Sequence, residues 1–268
     1  MRLGKLEEWD NKKRALITGA SSGIGEEFAR KFAEQGFNVV LVARRKNRLE
    51  KLSNELKENH NIEASVLIAD LSKKSDIEKV VSYITNTGDI ECLVNSAGYA
   101  IWRSFLGIEL HQHFDYINVN FTAPIVFCHA ALPQMIQRKR GIIINISSSG
   151  VIDRAPGVTY FTTKSGLVSF SEKLHEKMYK KGILVQSLLP GLTLTEMHDE
   201  QIAKGKFKRD WFPKEAWMTV EDLTSISFKA LNADPYIPIV VPGEYNTKEL
   251  IELRRKNVDD YINLRIFS

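Results

Sequence analysis

Cysteine is scarce in this sequence: two residues, Cys92 and Cys128, among 268. Both sit in apolar stretches, ECLVN and IVFCHA. Two such residues make no disulfide framework and no Cys-based metal site, and they fit buried free thiols in a reducing compartment. Long apolar runs are also missing. Stretches such as 123–128 and 142–144 fall far short of the roughly 20 residues a bilayer helix needs, so no membrane span is expected. The opening MRLGKLEEWDNKKR mixes charged and apolar residues and holds no apolar leader core, so the cytoplasm is the expected location. Neither sign of charge dominates. Lys and Arg number 37 against 33 Asp and Glu, a net +4 spread along the chain, and no nucleic-acid partner is expected. The 16 Gly and 8 Pro are scattered as turn punctuation, which excludes collagen-like or low-complexity order. The six histidines form no HExxH-type set, so no metal site is expected. His111 and His113, two apart on a helix, point away from each other and are expected at the surface.

What is present is an alternation of strands and helices. Apolar, β-branched runs at 14–18, 38–42, 64–69, 90–94, 141–146, 183–188 and 239–241 predict strands buried on both faces. Helical spacing over 24–35, 48–58, 76–85, 110–137 and 157–179 fills the gaps. In the first helix Ile24, Phe28, Phe32 and Ala33 share one side, and Gly36 is a natural stop. The pattern predicts an α/β fold, a doubly wound parallel sheet with helices on both faces. With no repeat and no linker, residues 1–268 are expected to form one domain. The segment 196–217 breaks the rhythm. It is polar, basic and aromatic, and is expected to project as a loop or lid.

The first strand ends in Thr18-Gly19-Ala20-Ser21-Ser22-Gly23-Ile24-Gly25. Gly19 and Gly23 suit a tight turn close to a pyrophosphate, and Gly25 suits close packing of helix on strand. The helix start there offers free N–H groups and partial positive charge to phosphates, with Ser21, Ser22 and Ile24 around it. A P-loop is excluded because no Gly-Lys-Ser/Thr ends the turn. At the end of the second strand, where a carboxylate would hold the ribose hydroxyls of NAD, the chain has Arg44-Arg45 and no acid between Glu34 and Glu50. Guanidinium groups suit a 2′-phosphate, so NADP(H) is favoured over NAD(H), with Arg44 the better placed. The alternative is that both arginines simply begin the solvated face of the next helix.

The TGxxxGxG spacing resembles the short-chain dehydrogenase/reductase family, and further motifs follow in that family's order. Asp70-Leu71 ends the third strand, where the family contacts adenine. Asn95-Ser96-Ala97-Gly98 resembles the family's NNAG turn, with Ser96 a departure. Asn120, in INVNFTA, matches the catalytic asparagine, and Tyr160 and Lys164 match YxxxK, four apart on one helix face. Pro190-Gly191 follows the sixth strand, and Thr193 and Thr195 fall where threonines meet the nicotinamide carboxamide. Ser148 matches the catalytic serine counted from the start of the fifth strand. Counting back from Tyr160 selects Ser147 instead. Strand register favours Ser148, because a one-residue loop deletion is easier than turning a strand over.

The resemblance implies a Rossmann-like fold and an oxidoreductase that interconverts a carbonyl (ketone, aldehyde or 3-oxoacyl) and an alcohol. Tyr160 would be the acid or base, Lys164 together with the nicotinamide charge would lower its pKa, Lys164 would also hold the nicotinamide ribose, and Ser148 would donate to the substrate oxygen. Asn120 would anchor a proton-relaying water. The resemblance also implies a homodimer or homotetramer paired through helices 110–137 and 157–179. The alternative is a sensor or scaffold that binds NADP(H) without turnover. In 196–217, Phe207, Trp211, Phe212 and Trp217 could cover an apolar carbonyl compound. Lys204, Lys206, Lys208, Arg209 and Lys214 could draw an anionic carrier such as CoA or acyl carrier protein, or form a solvated basic face.

Overall fold

A computed structural model describes residues 14–100, 103–151, 157–205, 207–248 and 251–252. Lys206, the opening residues and those after 252 lie outside the described residues. Seven strands form one sheet: β1 (Arg14–Thr18), β2 (Asn38–Ala43), β3 (Ala64–Ile68), β4 (Ile90–Asn95), β5 (Gly141–Ile146), β6 (Ile183–Leu188) and, at the edge, Ile239–Val240. Their spatial order is β3-β2-β1-β4-β5-β6 and then the edge strand, and every pairing is parallel. The chain runs outward from β1 in one direction and then resumes from β1 in the other. That reversal opens a crevice beyond the carboxyl ends of β1 and β4, the usual ligand position in such sheets.

Period-two side-chain alternation sends neighbouring residues of each strand into opposite layers. Ala15, Ile17, Val39, Leu41 and Val94 pack with Phe28 and Phe32 of α1 (Gly23–Glu34) and with Leu49 and Leu52 of α2 (Lys46–His60). Leu16, Val40, Leu93 and Val185 face the other way. They meet Val80 and Ile84 of α3 (Lys74–Thr87) and a long helical run over Leu110–Arg138. Both cysteines are buried and free, one in each layer.

That run is not uniform. It comprises α4 (Leu110–Ile117), a π-helical turn over Asn118–Thr122 and α5 (Ala123–Arg138). By length and composition alone it would suffice to cross a bilayer, a test that a buried core helix also passes, and half of its most apolar window is buried within the protein. Helix α6 (Val158–Met178) completes that layer.

Four elements were not foreseen. Strand β7 (Leu192–Thr193) pairs with β8 (Trp217–Met218) and closes the base of the projecting segment. Inside it lies α7 (Glu196–Ala203). Helix α8 (Val220–Leu231) follows, and its N-cap Thr219 accepts from the Asp222 N–H at 3.1 Å. That Thr-x-x-Asp signal stood in the sequence.

Candidate active site

Thr18, at the end of β1, ties two turns together. Its hydroxyl oxygen accepts from the N–H groups of Ser96 (3.1 Å) and Ala97 (3.0 Å). Both bonds run to the backbone, so Ser96 costs this linkage nothing. Gly19 and Gly23 have positive φ, +70° and +57°, which glycine adopts without strain. A Cβ on Gly19 would lie 2.9 Å from the Ala97 backbone, so the first glycine is demanded by the neighbouring turn. A Cβ on Gly25 would lie 2.5 Å from the Gly19 carbonyl oxygen. Gly25 therefore lets α1 sit against the turn, and it does not itself face the cleft.

The cleft at the carboxyl ends of the strands is lined by Gly19, Ser21, Ser22, Gly23 and Ile24 on one wall. Arg44, Arg45, Asp70 and Leu71 extend that wall, and Ala97 and Gly98 form its floor. Pro190, Gly191, Thr193 and Thr195 also line the cleft. The Asp70 carboxylate accepts from the Ser72 hydroxyl at 2.9 Å, which fixes that turn. Asn95 is a correction to the expected cleft residues. It is buried under the floor, and its amide donates to Asn145 Oδ1 at 2.8 Å, whose own amide donates to Ser171 Oγ at 2.9 Å. Gly191 has a reason the sequence did not reveal: a Cβ there would overlap the Asn246 side chain, 2.3 Å away.

The two arginines differ. Arg45 Nε donates to Ser21 Oγ at 3.0 Å, its NH2 donates to Ser22 Oγ, and its NH1 pairs with Glu196 at 2.8 Å. Arg48 also pairs with Glu196. Among the described residues no hydrogen bond or ion pair holds Arg44, which lines the cleft. The expected contact by Arg45 is thus a role it shares with a protein carboxylate.

At the other end of the cleft stand Ser148, Tyr160 and Lys164. Lys164 is buried, and its ammonium donates to the Ile146 carbonyl at 2.8 Å and lies 5.8 Å from the centre of the Tyr160 ring. Burial pulls the Lys164 pKa down to about 8. Burial also raises the Tyr160 phenol above its ordinary value, and a hydrogen bond with Ser148 opposes this. The Lys164 ammonium is committed to Ile146, and without a nicotinamide charge beside it the burial of the phenol prevails. The adjacent serines diverge. Ser147 Oγ donates to the Lys164 carbonyl at 2.9 Å and is buried, whereas Ser148 faces Tyr160.

Asn120 sits on the π-helical turn, a distortion found often at functional sites. Its amide donates to the Tyr116 carbonyl at 3.1 Å, while its Oδ1 is buried without a hydrogen-bond partner among the described residues. A Cβ on Gly98 would meet that oxygen at 2.9 Å and Lys164 Nζ at 3.3 Å. The missing side chain at Gly98 thus leaves room beside both polar groups. His113 is not merely a surface residue. Its ring nitrogens bond Thr159 Oγ1 (2.8 Å) and the Phe105 carbonyl (3.1 Å), tying α4 to the start of α6.

The projecting segment is organised around itself. Phe207 is buried and contacts the rings of His198, Trp211, Phe212 and Trp217, with centroids 5.6–5.9 Å away. Its aromatics therefore pack first on one another, with Phe207, Trp211 and Phe212 also lining the cleft. Lys208 and Lys214 are exposed off the cleft wall, and Arg209 is paired to Asp199 at 2.6 Å.

His198 carries a pH prediction. Burial is the main cause that lowers its pKa; Thr193 and Asp199 oppose it, and Arg209 reinforces it. The packed segment then binds fewer protons than the loosened one, so packing is complete above the ordinary range near ~6.5 and is lost as pH falls below it. Acidification should therefore change the fluorescence of Trp211 and Trp217 below about pH 6. The change should vanish in His198→Phe, and an identical acid profile in that variant would rule out His198 as its cause.

These features define a doubly wound α/β fold with a cleft at the carboxyl ends of its strands, and comparison with known proteins narrows it. The family model for short chain dehydrogenases matches residues 13–205. This chain belongs to that family. Human inactive hydroxysteroid dehydrogenase-like protein 1 is 32% identical over 68% of this chain. The very-long-chain 3-oxoacyl-CoA reductase of Anas platyrhynchos is 32% identical over 73%. These matches span 56% and 64% of those proteins' own lengths. A short-chain dehydrogenase from Sphingobium yanoikuyae, solved in complex with NADPH, is 28% identical with a TM-score of 0.80, covering 96% of both chains.

Proposed function

We propose that this protein interconverts a carbonyl compound and an alcohol with NADP(H), using Tyr160 as the acid and base. The observation that carries this reading is convergence: Ser148, Tyr160 and Lys164, from two different elements, line one end of a cleft whose other end is the Gly-rich turn. The residues present fit a dinucleotide. The Ser21 and Ser22 hydroxyls and the N–H groups at the start of α1 are donors suited to phosphates, while the Gly98 cradle leaves space beside Asn120 Oδ1, an acceptor without a partner among the described residues. When bound, the dinucleotide supplies or accepts the hydride.

The chain's own groups handle the proton. In reduction the Tyr160 hydroxyl gives its proton to the carbonyl oxygen, and in oxidation the phenolate takes one from the alcohol. The Ser148 hydroxyl donates to the same oxygen and stabilises charge that develops there. Lys164, whose pKa burial pulls down to about 8, would offer its remaining N–H groups to a ribose. Asn120 Oδ1 can accept from a water bound beside Lys164. Arg44 would hold the 2′-phosphate, supported by its place on the cleft wall and the lack of a competing partner. The similarity to the NADPH complex supports the same preference. The aromatic lid and the off-cleft position of Lys208 and Lys214 favour an apolar ketone or aldehyde over a substrate on an anionic carrier.

Two experiments test this reading. NADPH oxidation should occur with members of a panel of ketones, aldehydes and 3-oxoacyl thioesters. Tight NADPH binding with no oxidation across the panel would favour a dinucleotide-binding sensor, the reading to which the inactive human relative points. The serines separate by effect. Ser148→Ala should lower kcat roughly 10²–10³-fold, as for a lost oxyanion donor, with stability little changed. Ser147→Ala should instead cost about 1 kcal/mol of stability from a lost buried hydrogen bond and keep most of kcat. The reverse pattern would transfer the role to Ser147.

A further inference from the structure

Glu196 has no place in the chemistry above, yet it makes the longest-range ion pairs of the site. It is the first residue of α7, and its carboxylate reaches Arg45 (2.8 Å) and Arg48 at the start of α2, 151 and 148 residues away in the chain. Arg45 passes the connection on, donating to the hydroxyls of Ser21 and Ser22 in the Gly-rich turn. Beside it, Thr195 packs against the same turn: a Cβ on Gly23 would lie 3.2 Å from Thr195 Cγ2. Ser21, Ser22, Gly23, Thr195 and Glu196 all line the cleft. One carboxylate therefore joins the start of the projecting segment, through Arg45, to the Gly-rich turn.

All three nitrogens of Arg45 are engaged by this bridge, while Arg44 on the same wall has no partner among the described residues. The two cations have separate duties. We propose that Glu196 is a positioning residue: it clamps the lid to the Gly-rich turn and slows the departure of any dinucleotide held there, leaving the choice between NADP(H) and NAD(H) to Arg44. The proposal rests on the cofactor reading given above. Its two arms are partly exposed, with side chains 42–49% accessible, so the effect is modest per arm and shows as a rate.

The test is stopped-flow displacement of bound NADPH and NADH, followed by their fluorescence. Glu196→Ala should raise both dissociation rate constants alike, about three- to tenfold, the range expected for two partly exposed ion pairs. Glu196→Gln, which keeps one acceptor oxygen, should fall between. In the protein alone, amide hydrogen exchange over 196–203 should speed up in the same order. Arg44→Ala should instead lower the ratio of NADPH to NADH affinity. Unchanged dissociation rates in Glu196→Ala would overturn the clamp, even if exchange increased. A rise for NADPH alone would also overturn it, since Glu196 would then belong to the 2′-phosphate site. Wild-type protein that binds neither dinucleotide would remove the cofactor reading, and the clamp with it, before any variant was made.

Discussion

Tyr160→Phe should lower kcat for carbonyl reduction roughly 10²–10⁴-fold, the usual worth of a positioned acid, while leaving dinucleotide affinity within a fewfold of wild type. The variant removes one oxygen and keeps the ring, which packs edge-on against Phe161 at 5.0 Å and Tyr116 at 6.3 Å. The buried ammonium of Lys164 keeps its bond to the Ile146 carbonyl. Stability should therefore change little. Burial already favours the protonated phenol, so the hydroxyl enters reduction carrying the proton it must deliver. Steady-state NADPH oxidation on the best substrate of the panel, with dinucleotide titration alongside, separates chemistry from binding. Turnover within tenfold of wild type would remove Tyr160 from the role.

The second large effect is steric. Gly25→Ala adds one methyl group, and in an ordinary helix that change would stabilise by up to ~1 kcal/mol. Here the added carbon would sit 2.5 Å from Gly19 O, 2.8 Å from Gly19 C and 3.0 Å from Thr18 O. All three are backbone atoms of the turn itself, so no side chain can yield. Helix α1 must move away from β1, which costs about 1–3 kcal/mol of overpacking and outweighs the helical gain. The same movement draws the N–H groups at the start of α1 away from their ligand. Denaturant unfolding should show the loss of stability, and titration should show dinucleotide affinity falling by more than tenfold. A variant as stable as wild type with unchanged affinity would mean that α1 adapts without disturbing the turn.

Much of this architecture was legible in the sequence. The runs at 14–18, 141–146 and 183–188 are strands at those bounds, because strands buried on both faces are mostly apolar and stand out from the turns that flank them. The Gly-rich turn, Tyr160 and Lys164 carry their geometry in local spacing, four residues on a helix or a turn between strand and helix. Shorter elements were less readable. Strands β7 and β8 have two residues each and exist only because they pair across 24 intervening positions of the chain, as the partners Leu192 and Trp217 show. The π-helical turn that carries Asn120 looks like ordinary helix in composition.

The sequence by itself determined the fold class, the order of motifs and the residue types at the site, since each depends on local period, turn chemistry or spacing. Only the tertiary structure decided which of two adjacent serines faces Tyr160, that Asn95 lies beneath the cleft, and that Phe207 is the centre of a small aromatic core. It also divided Arg44 from Arg45 through Glu196, some 150 residues away. The physical reason is the same in each case. A hydrogen bond, an ion pair or a ring contact is set by distances between elements far apart in the chain, and those distances exist only once the sheet and its layers have packed.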